Sequence, residues 1–587
     1  MSRLPAFLHF VTLASLVAPL TLACGQPGPP APQGPAATQS PAAKPAEAPA
    51  AASPVGKPAA QASPSPAAAA AKPAAGQAGG TFVVASLGPL PNTLHPYPDS
   101  AAYTNAWTDV AILIWDAGLL DLDANTLEYA PYMASEWNVS ADGKTFTFKL
   151  RDGLKWSDGQ PITVDDFVFA WQNASKEAND FVGLDDLKRI DSFTAPDPKT
   201  IVVTLNETLA RDIAIGVANS IGPVPKHIWL GKPWNDPAAN PEILKPSVVS
   251  GPYLLKDWNA AEGATFVRNP NWFRGQANFD QVVLKPGQQP TVAYELLKSG
   301  QAHWAPNIPP SQYAEAKQNP NLNLLEWTAA NGQYRVLEFN LQREFLKDKR
   351  AREALSRAIN RQDVIQVAEN NLGQPQYTFL NPANTKWYNP NVEKYDFDLD
   401  RARQLLQEAG YRSEGGRLIG SDGQQVRLQV LFPVSSNPRA KIATYLQQQY
   451  KQLGIEVEVK GLDFNAYTEE VKKKNYDLSL GSYGGGSIDP DLGARSQLLS
   501  DGQQNITGFD NPTVDDLFKK GAVEQDEGKR KAIYDQVQQV VNQELPSYYM
   551  YSLTSFSPIS KQVVGVQPNK LDRLDYNDAL TRWSLAQ

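Results

Sequence analysis

Two successive helix-to-strand units in the C-terminal half are the feature that most restricts the fold of this chain. Residues 437–463 (NPRAKIATYLQQQYKQLGIEVEVKGLD) have the pattern of a helix that ends at Gly454, followed by a strand in which apolar and charged residues alternate. Residues 466–486 (AYTEEVKKKNYDLSLGSYGGG) repeat this order of helix and strand. Strands that alternate with helices are typical of an α/β sheet. We therefore predict an α/β fold.

The segment GSYGGGSIDPD, residues 481–491, directly follows the second of these strands. Open α/β sheets bind ligands at the carboxyl ends of their strands, so this loop is expected at the mouth of a binding cleft. Glycines let a ligand lie against the main chain, and Tyr483 offers an aromatic face. A phosphate loop is disfavoured, because it would end in Gly-Lys-Ser/Thr and open a helix, and because Asp489 and Asp491 would repel phosphate. The ligand contacts predicted here are Tyr483, Gly484, Gly485, Gly486 and Ser487, with Asp489 as a charge partner.

Capping residues and aromatic runs define several other elements. Thr163, with Asp166 three residues later, has the pattern of a helix start. Residues 350–373 are strongly helical in pattern, and we predict that this helix ends at Gly373. The aromatic run at 547–556 (SYYMYSLTSF) predicts a strand.

Two of the thirteen tryptophans lie in unusual surroundings. Most tryptophans are expected in the core, because large aromatic side chains are mainly structural. Trp304 and Trp387 instead lie in loops rich in proline and asparagine (HWAPNIPP and NTKWYNPN), where core packing and cleft lining are equal alternatives. We predict that Trp304 and Asn307 contact a ligand from one side of a cleft and Trp387 from the other.

The first 23 residues have the pattern of a secretory signal peptide. Arg3 precedes a mostly apolar stretch at residues 4–23, and Cys24 follows directly. A cysteine at the cleavage site is typical of bacterial lipoproteins, although Thr21 stands where an aliphatic residue is expected. The alternative is an ordinary signal peptide with an incidental cysteine. We predict a signal peptide at 1–23, a lipidated Cys24, and an exported protein anchored in a membrane and facing the periplasm or the cell exterior.

Residues 24–80 consist almost wholly of Ala, Pro, Gly, Ser, Gln and Lys. Such a segment cannot bury enough apolar surface to offset the entropy of ordering it, and its prolines favour extended conformations. We predict a disordered spacer that holds the folded part away from the membrane. The folded region is expected to begin near Thr81. No later stretch has the ~20 uninterrupted apolar residues of a membrane span.

Cysteine and histidine are too scarce for the common catalytic and metal-binding sites. The chain has one cysteine and four histidines, so a structural zinc site or a Cys/His nucleophile is hard to build. The net charge of −8, without a basic stripe, argues against a nucleic-acid partner. Neither G-x-S-x-G nor H-E-x-x-H occurs. We predict no enzymatic activity, no cofactor and no metal site, with a secreted hydrolase that uses cleft carboxylates as the alternative.

An ordered series of motifs resembles one known family. The segments in question are TLHPY (93–97), residues 115–172 around KTFTFKLRDGLKWSDGQPITVDDFVFAWQ, SGPYLLKDW (250–258), VRNPNWFRG (267–275), VLEFNLQREFLKDKRAREALSRAINR (336–361), ARQLLQEAGY (402–411), YDLSLGSYGGGSIDPD (476–491) and NITGFDNPTVDDLF (505–518). Their order along nearly the whole folded length resembles the bacterial extracellular solute-binding proteins of family 5, which include oligopeptide- and dipeptide-binding members. One such segment could arise by chance, whereas the ordered set is specific.

The resemblance implies a two-lobed clamp like the periplasmic binding proteins, of class II and the large three-domain type. Hinges are expected near 334–340 and 549–554. The implied division is a signal peptide at 1–23, the lipidated cysteine and spacer at 24–80, lobe I at 81–125, 246–336 and 551–587, a subdomain inserted into lobe I at 126–245, and lobe II at 337–550.

The resemblance also implies the role of a receptor for an ABC importer. Peptides of the oligopeptide or dipeptide class would be captured between the lobes and delivered to a membrane permease that an ATPase powers. The receptor is expected to be a monomer whose only membrane contact is its lipid anchor. A receptor that serves a sensor kinase in place of a permease remains open.

The glycine-rich loop departs from the peptide-binding relatives at one position. In those relatives an aspartate pairs with the ligand's α-ammonium group, and this position aligns with Gly486. Asp489 or Asp491 could supply the charge instead. Alternatively the cargo has no free amino terminus, which leaves an oligosaccharide, an opine or a nickel complex as the alternative cargo.

Overall fold

The structure, a computed structural model, describes residues 79–86, 91, 93–98, 105–115, 118–259, 262–286, 289–306, 308–484, 487–571 and 582–586. The predicted signal peptide, Cys24 and the spacer up to residue 78 lie outside the described residues. Within the described part, three principal sheets alternate with helices along the chain, and the predicted α/β fold is confirmed.

The first sheet has four strands and a two-stranded extension. Trp304 joins the two parts, because it forms isolated bridges with both Val84 and Ile559. The four strands, in spatial order, are Thr81–Ser86, Gln281–Pro286, Gly263–Arg268 and Tyr253–Asn259, and the extension pairs Leu322–Trp327 with Ser555–Ser560.

The second sheet is inserted in the sequence between strands of the first. Its antiparallel strands, in spatial order, are Ala134–Val139, Thr145–Leu150, Thr200–Leu205 and Ile190–Asp197. Buried side chains of this sheet, such as Phe146 and Val203, belong to the same hydrophobic core as Phe82 and Val84 of the first sheet. We call these two sheets with their helices the first body. The second sheet falls inside the range predicted for the inserted subdomain, 126–245, although the domain limits stay a prediction.

The third sheet has six strands and forms the second body with its helices. The strands, in spatial order, are Gly373–Pro375, Ser547–Leu553, Tyr334–Phe339, Leu478–Tyr483, Arg427–Pro433 and Glu456–Leu462. Alternate side chains of a strand point to opposite faces. Accordingly Leu337 and Phe339 belong to one core of this body, whereas Tyr334 and Val336 belong to another. The predicted aromatic strand at 547–556 is confirmed, and it continues into the first sheet.

The chain crosses between the two bodies twice. Residues 328–333 connect strand Leu322–Trp327 of the first body to strand Tyr334–Phe339 of the second. Thr554 alone separates strand Ser547–Leu553 from strand Ser555–Ser560. All six residues of Tyr334–Phe339 are buried; all six pair with strand Leu478–Tyr483, and the first five also pair with strand Ser547–Leu553. The predicted hinges at 334–340 and 549–554 stay predictions, and the first of them overlaps this strand and directly follows the crossover 328–333.

The helices surround these sheets and are of modest length. They are Asn105–Ile114, Val164–Ala174, Leu184–Leu187, Arg211–Ala218, Lys226–Trp229, Pro290–Lys298, Tyr313–Gln318, Glu344–Lys347, Lys349–Arg357, Arg361–Glu369, Leu399–Glu408, Asn437–Lys451, Phe464–Lys472, Pro490–Leu498, Pro512–Gly521 and Glu527–Glu544. In the part of the chain that the structure describes, none of them has both the length and the apolar character of a membrane span.

The predicted helix start at Thr163 is confirmed. The helix Val164–Ala174 begins directly after Thr163, whose backbone amide donates to the Asp166 carboxylate at 2.8 Å in a capping box.

The single helix predicted to end at Gly373 is wrong, because the segment forms two helices, Lys349–Arg357 and Arg361–Glu369. The Asn360 side chain accepts hydrogen bonds from the second and third amides of the second helix and starts it anew. Asn370 ends that helix in the left-handed conformation, at φ 53°. Gly373 lies in the short strand Gly373–Pro375.

Candidate functional site

The candidate site lies where three parallel strands of the third sheet end. Arg427–Pro433 runs parallel to both Glu456–Leu462 and Leu478–Tyr483, so the carboxyl ends of the three strands meet at one edge. Tyr334, the first residue after the crossover 328–333, pairs with Tyr483 at this same edge. The glycine-rich loop therefore begins beside a connection between the two bodies.

Gly484 lies against the main chain of the crossover. Its φ is +114°, a conformation that residues with a side chain rarely adopt. A Cβ atom at this position would lie 2.4 Å from the Gly332 carbonyl oxygen and 2.6 Å from the Gln333 Cα. The close main chain of the crossover thus requires a glycine at position 484. This steric requirement explains the glycine independently of the predicted access of a ligand to the main chain.

Tyr483 is half-buried and its phenol is engaged within the protein. The hydroxyl donates a hydrogen bond to the Glu338 carboxylate, and the ring centroid lies 6.0 Å from that of Tyr334. Burial raises the pKa of the Tyr483 phenol far above its usual range, and the neighbouring Glu338 raises it further. The predicted contact of Tyr483 with a ligand stays a prediction. Its ring is held in place by Glu338 and Tyr334.

Glu338 is the residue of this region that sequence reasoning missed. Its side chain is 3% exposed in the centre of the third sheet, and Ser479 donates to it at 3.0 Å. Burial raises the pKa of Glu338 to about 7, against the opposing hydrogen bonds of Tyr483 and Ser479. A cavity of about 20 Å³ adjoins it, which is room for one water molecule. A lone carboxylate in the buried strand YRVLEF was the signal available in the sequence.

Asp489 forms an ion pair within the protein, and its predicted role as a charge partner for a ligand stays a prediction. It is 5% exposed, and Arg530 binds its carboxylate with both Nη atoms of the guanidinium group, at 2.9 Å for Nη2–Oδ1. It also accepts from the Asp491 amide at 3.0 Å and caps the helix Pro490–Leu498. The Ser487 hydroxyl accepts from the Asp489 amide, also at 3.0 Å, so it belongs to this same turn.

Asp491 is likewise engaged within the second body. The Tyr534 hydroxyl donates to it at 2.9 Å, and Arg495 lies 3.0 Å away. Gly486 stands where the peptide-binding relatives have the aspartate that pairs with a ligand's ammonium group. The two nearby carboxylates that could replace this aspartate, Asp489 and Asp491, both have cationic or hydroxyl partners within the protein.

Trp304 lies in the core of the first body. Its side chain is 1% exposed, its ring meets Phe82 and Trp583 with centroids 6.4 and 5.3 Å away, and its indole N–H donates to Ser557 at 2.8 Å. Of the two alternatives for this residue, the geometry favours core packing over cleft lining, because the ring bridges strands of the sheet and its extension.

Trp387 is buried in the second body. It is 1% exposed, with the Arg530 guanidinium 4.9 Å from its ring centroid and the Tyr534 ring edge-on at 6.0 Å. The geometry again favours packing, here around the Asp489–Arg530 pair. Trp304 and Trp387 thus belong to different cores, and the structure does not bring them together.

Three other predicted contacts, Asn307, Gly485 and Gly486, lie outside the described residues. Among the residues that the structure does describe, no group of three or more His, Cys, Asp or Glu side chains could hold a metal ion.

The protein thus has two bodies, each with its own principal core, and two crossovers that join them beside the candidate loop. This arrangement is typical of two-lobed binding proteins. Residues 128–505 match the family described as bacterial extracellular solute-binding proteins, family 5. The chain belongs to this family, and the resemblance and the two-lobed fold predicted from it are confirmed. Members of the family are substrate-binding components of transport systems.

Individual relatives agree with this assignment over most of their length. Protein XP55 of Streptomyces lividans is 29% identical over 429 residues, which cover 72% of this chain and 76% of that protein. The dipeptide-binding protein of Escherichia coli K12 is 25% identical over 477 residues, which cover 76% of this chain and 85% of that protein. The solved structure of the ABC transporter substrate-binding protein CtaP from Listeria monocytogenes has a TM-score of 0.72 at 26% identity and covers 87% of this chain and 100% of that one.

Proposed function

We propose that this protein is the receptor of an ABC importer that captures peptides between its two bodies and delivers them unaltered to a membrane permease. Membership of the solute-binding family carries this proposal, and the dipeptide-binding relative supports peptides as the cargo class. The two crossovers allow the bodies to close on a ligand, because each is a short connection between two separately packed cores.

A ligand titration tests the cargo. A solute at a hundredfold excess over its Kd should stabilise the folded state by about 2.7 kcal/mol. We expect a pool of synthetic di- to pentapeptides to raise the melting temperature, whereas a matched pool of oligosaccharides does not. Stabilisation by the oligosaccharides alone would remove the peptide assignment.

The engaged carboxylates near the loop support a second cargo class. Asp489 pairs with Arg530, and Asp491 with Arg495 and Tyr534, so neither is available to a ligand's ammonium group in this arrangement. A neutral or N-blocked solute, such as an oligosaccharide, an opine or a nickel complex, fits such a loop. Binding of one peptide with a free and with an acetylated amino terminus distinguishes the two cargo classes. Loss of binding on acetylation would show that the site recognises the ammonium group and would argue against a neutral or N-blocked cargo.

We further propose Tyr483 and the main chain at 484–487 as contacts on the second body. Tyr483→Ala should weaken peptide binding without unfolding the protein, whereas Tyr388→Ala, at another half-buried tyrosine of the second body, serves as the control. Undiminished affinity in Tyr483→Ala would take Tyr483 out of the site.

Release of unaltered cargo distinguishes the receptor from the alternative hydrolase. Mass spectrometry of peptides and glycans after incubation should return only the starting masses, and any cleavage product would favour the hydrolase.

Export and anchoring through Cys24 are proposed on the sequence pattern of residues 1–24. Metabolic labelling with palmitate should mark the unaltered protein and not the Cys24→Ala variant, and equal labelling of the two would disprove the anchor.

A further inference from the structure

The two bodies also touch at a place that shares no residue with the crossovers. The Ala210 amide of the first body donates to the Ala522 carbonyl of the second at 2.7 Å. Close by, the Gln525 side-chain amide donates to the Leu209 carbonyl at 2.5 Å. Leu209 and Ala210 directly precede the helix Arg211–Ala218, whereas Ala522 and Gln525 lie between the helices Pro512–Gly521 and Glu527–Glu544.

Lys386 is the centre of this second contact. Its side chain is only 9% exposed, and its ammonium group lies 2.9 Å from Glu128, 2.9 Å from Asp212 and 3.1 Å from Glu527. Glu128 and Asp212 belong to the first body, whereas Lys386 and Glu527 belong to the second. Two of the three ion pairs therefore join the bodies, and the third lies within one of them.

The charges at this contact keep the lysine protonated. Burial by itself lowers the pKa of Lys386, but attraction by Asp212 and hydrogen bonds to Glu128 and Asp212 outweigh it and raise the pKa above its usual range. Truncation of such a partly buried lysine would leave three carboxylates without their shared cation.

Each body also keeps a partner for its own charges when the contact opens. Arg211 of the first body lies 3.4 Å from Asp212 and 4.0 Å from Glu128, and its guanidinium rests over the Trp137 ring at 5.6 Å. On the other side, Glu527 remains next to Lys386. Separation of the bodies therefore leaves no isolated buried charge, which makes the contact readily reversible.

We propose that Lys386, Glu128 and Asp212 form an electrostatic latch that holds the two bodies closed and sets the rate at which a captured solute is released. The proposal rests on the function proposed above. Because the two carboxylates are partly exposed, salt screens their attraction to Lys386 and shifts the population toward the open form. The latch thus makes the residence time of the cargo depend on ionic strength.

Hydrogen–deuterium exchange of the full chain tests the latch without any ligand. The Ala210 amide is protected by the Ala522 carbonyl only while the bodies touch, so its exchange reports opening. We expect Lys386→Met to speed exchange of the segment around Ala210 about tenfold, and an increase from about 0.05 to 1 M NaCl to do the same in the unaltered protein but not in the variant.

Two further variants make this test specific. Glu128→Gln removes a half-exposed carboxylate of the first body and should speed the same exchange, which covers the case in which Lys386→Met fails to fold. Glu527→Gln removes the partner that belongs to the same body as Lys386, so it should leave exchange unchanged. Unchanged exchange in both Lys386→Met and Glu128→Gln, or an equal effect of Glu527→Gln, would overturn the latch.

A binding measurement separates the latch from the proposed function. With the same pool of synthetic di- to pentapeptides as the probe, Lys386→Met should release bound peptide about tenfold faster. Should the unaltered protein bind no peptide of the pool, the peptide assignment fails, whereas the exchange experiment still decides whether the latch exists. Equal release rates from the two proteins would contradict the role of the latch in cargo release.

Discussion

Glu338 links the crossover strand to the glycine-rich loop through the Tyr483 hydroxyl. The groups around it also include Ser479 of strand Leu478–Tyr483, Arg439 at the start of helix Asn437–Lys451, and the tyrosines Tyr334, Tyr467, Tyr476 and Tyr549. Because burial dominates over these partners, the folded protein holds the Glu338 proton to a higher pH than the unfolded chain does.

This difference predicts a pH-dependent stability. The pKa of Glu338 rises from its ordinary value near 4.5 to about 7 on folding. The stability that the bound proton contributes is complete below about pH 4.5 and is lost as the pH rises through 7, by up to about 3 kcal/mol. Urea denaturation at pH 5 and pH 8 should show this loss in the unaltered protein and a smaller one in Glu338→Gln. Glu344→Gln, at an exposed carboxylate, is the control, and equal losses in all three proteins would contradict the prediction.

A second prediction at the residue scale concerns Gly484. Gly484→Ala should destabilise the protein by roughly 1–3 kcal/mol, because the new Cβ would meet the main chain of Gly332 and Gln333 in a conformation that alanine disfavours. Gly410→Ala, where φ is also positive but nothing lies within 4 Å of a Cβ, should cost less. Denaturant midpoints measure both, and equal losses would show that the crossover can move aside.

At the scale of elements, the helix Pro490–Leu498 depends on the residue that precedes it. Asp489 caps its first turn and at the same time neutralises the buried Arg530, which lies on the long helix Glu527–Glu544. The pair therefore fixes the glycine-rich loop, through its following helix, to another helix of the second body. The free-energy cost of removing two charges from water offsets their attraction, so a buried ion pair adds little net stability. We expect this pair mainly to fix the relative position of the two helices.

Removal of one partner alone should be strongly unfavourable. Arg530→Met leaves Asp489 buried without a cation and should lower the free energy of unfolding by about 3–5 kcal/mol. The same substitution made in the Asp489→Asn variant should cost less, because the carboxylate that needs the cation is then absent. The control is Lys520→Met, which breaks the exposed pair with Asp516 and should change stability by at most about 1 kcal/mol. Additive losses in the double variant would show that the two charges do not interact.

At the scale of the molecule, two bodies with separate principal cores are connected by two short crossovers, by Leu372 of the second body, which packs in one cluster with Ala85 and Phe556 of the first, and by the Lys386 contact. Large chains of this kind often unfold in more than one step, because each core can lose its packing while the other remains. The position of Trp304 in the first core and of Phe339 in the second allows each body to be destabilised separately.

Calorimetry of two core variants tests this independence. Trp304→Ala and Phe339→Ala should each destabilise their own body by about 3–5 kcal/mol through the cavity that they leave. We expect two thermal transitions. Trp304→Ala should lower the midpoint temperature of one, and Phe339→Ala that of the other. A single transition that both variants lower equally would mean that the bodies unfold as one unit.

Local patterns in the sequence were sufficient for the elements that depend on neighbouring residues. The capping box at Thr163, the helix that ends before Gly454 and the strand that leads into Tyr483 were predictable, because caps and periodicity act over a few positions. The break at Asn360 was missed, since an asparagine inside a helical pattern gives only a weak signal of a new start. The ordered motifs also identified the family, because they extend over nearly the whole folded length.

Only the tertiary structure showed which partners the individual side chains of the candidate site have within the protein. Arg530 is 41 residues from Asp489, and Ser557 is 253 residues from Trp304, so no local pattern could show that each pair meets. The same holds for Glu338 with Tyr483 and for Lys386 with Glu128 and Asp212. Periodicity shows which side chains are buried, but the partner that a buried charge finds depends on how distant strands and helices are brought together, and that partner sets its role.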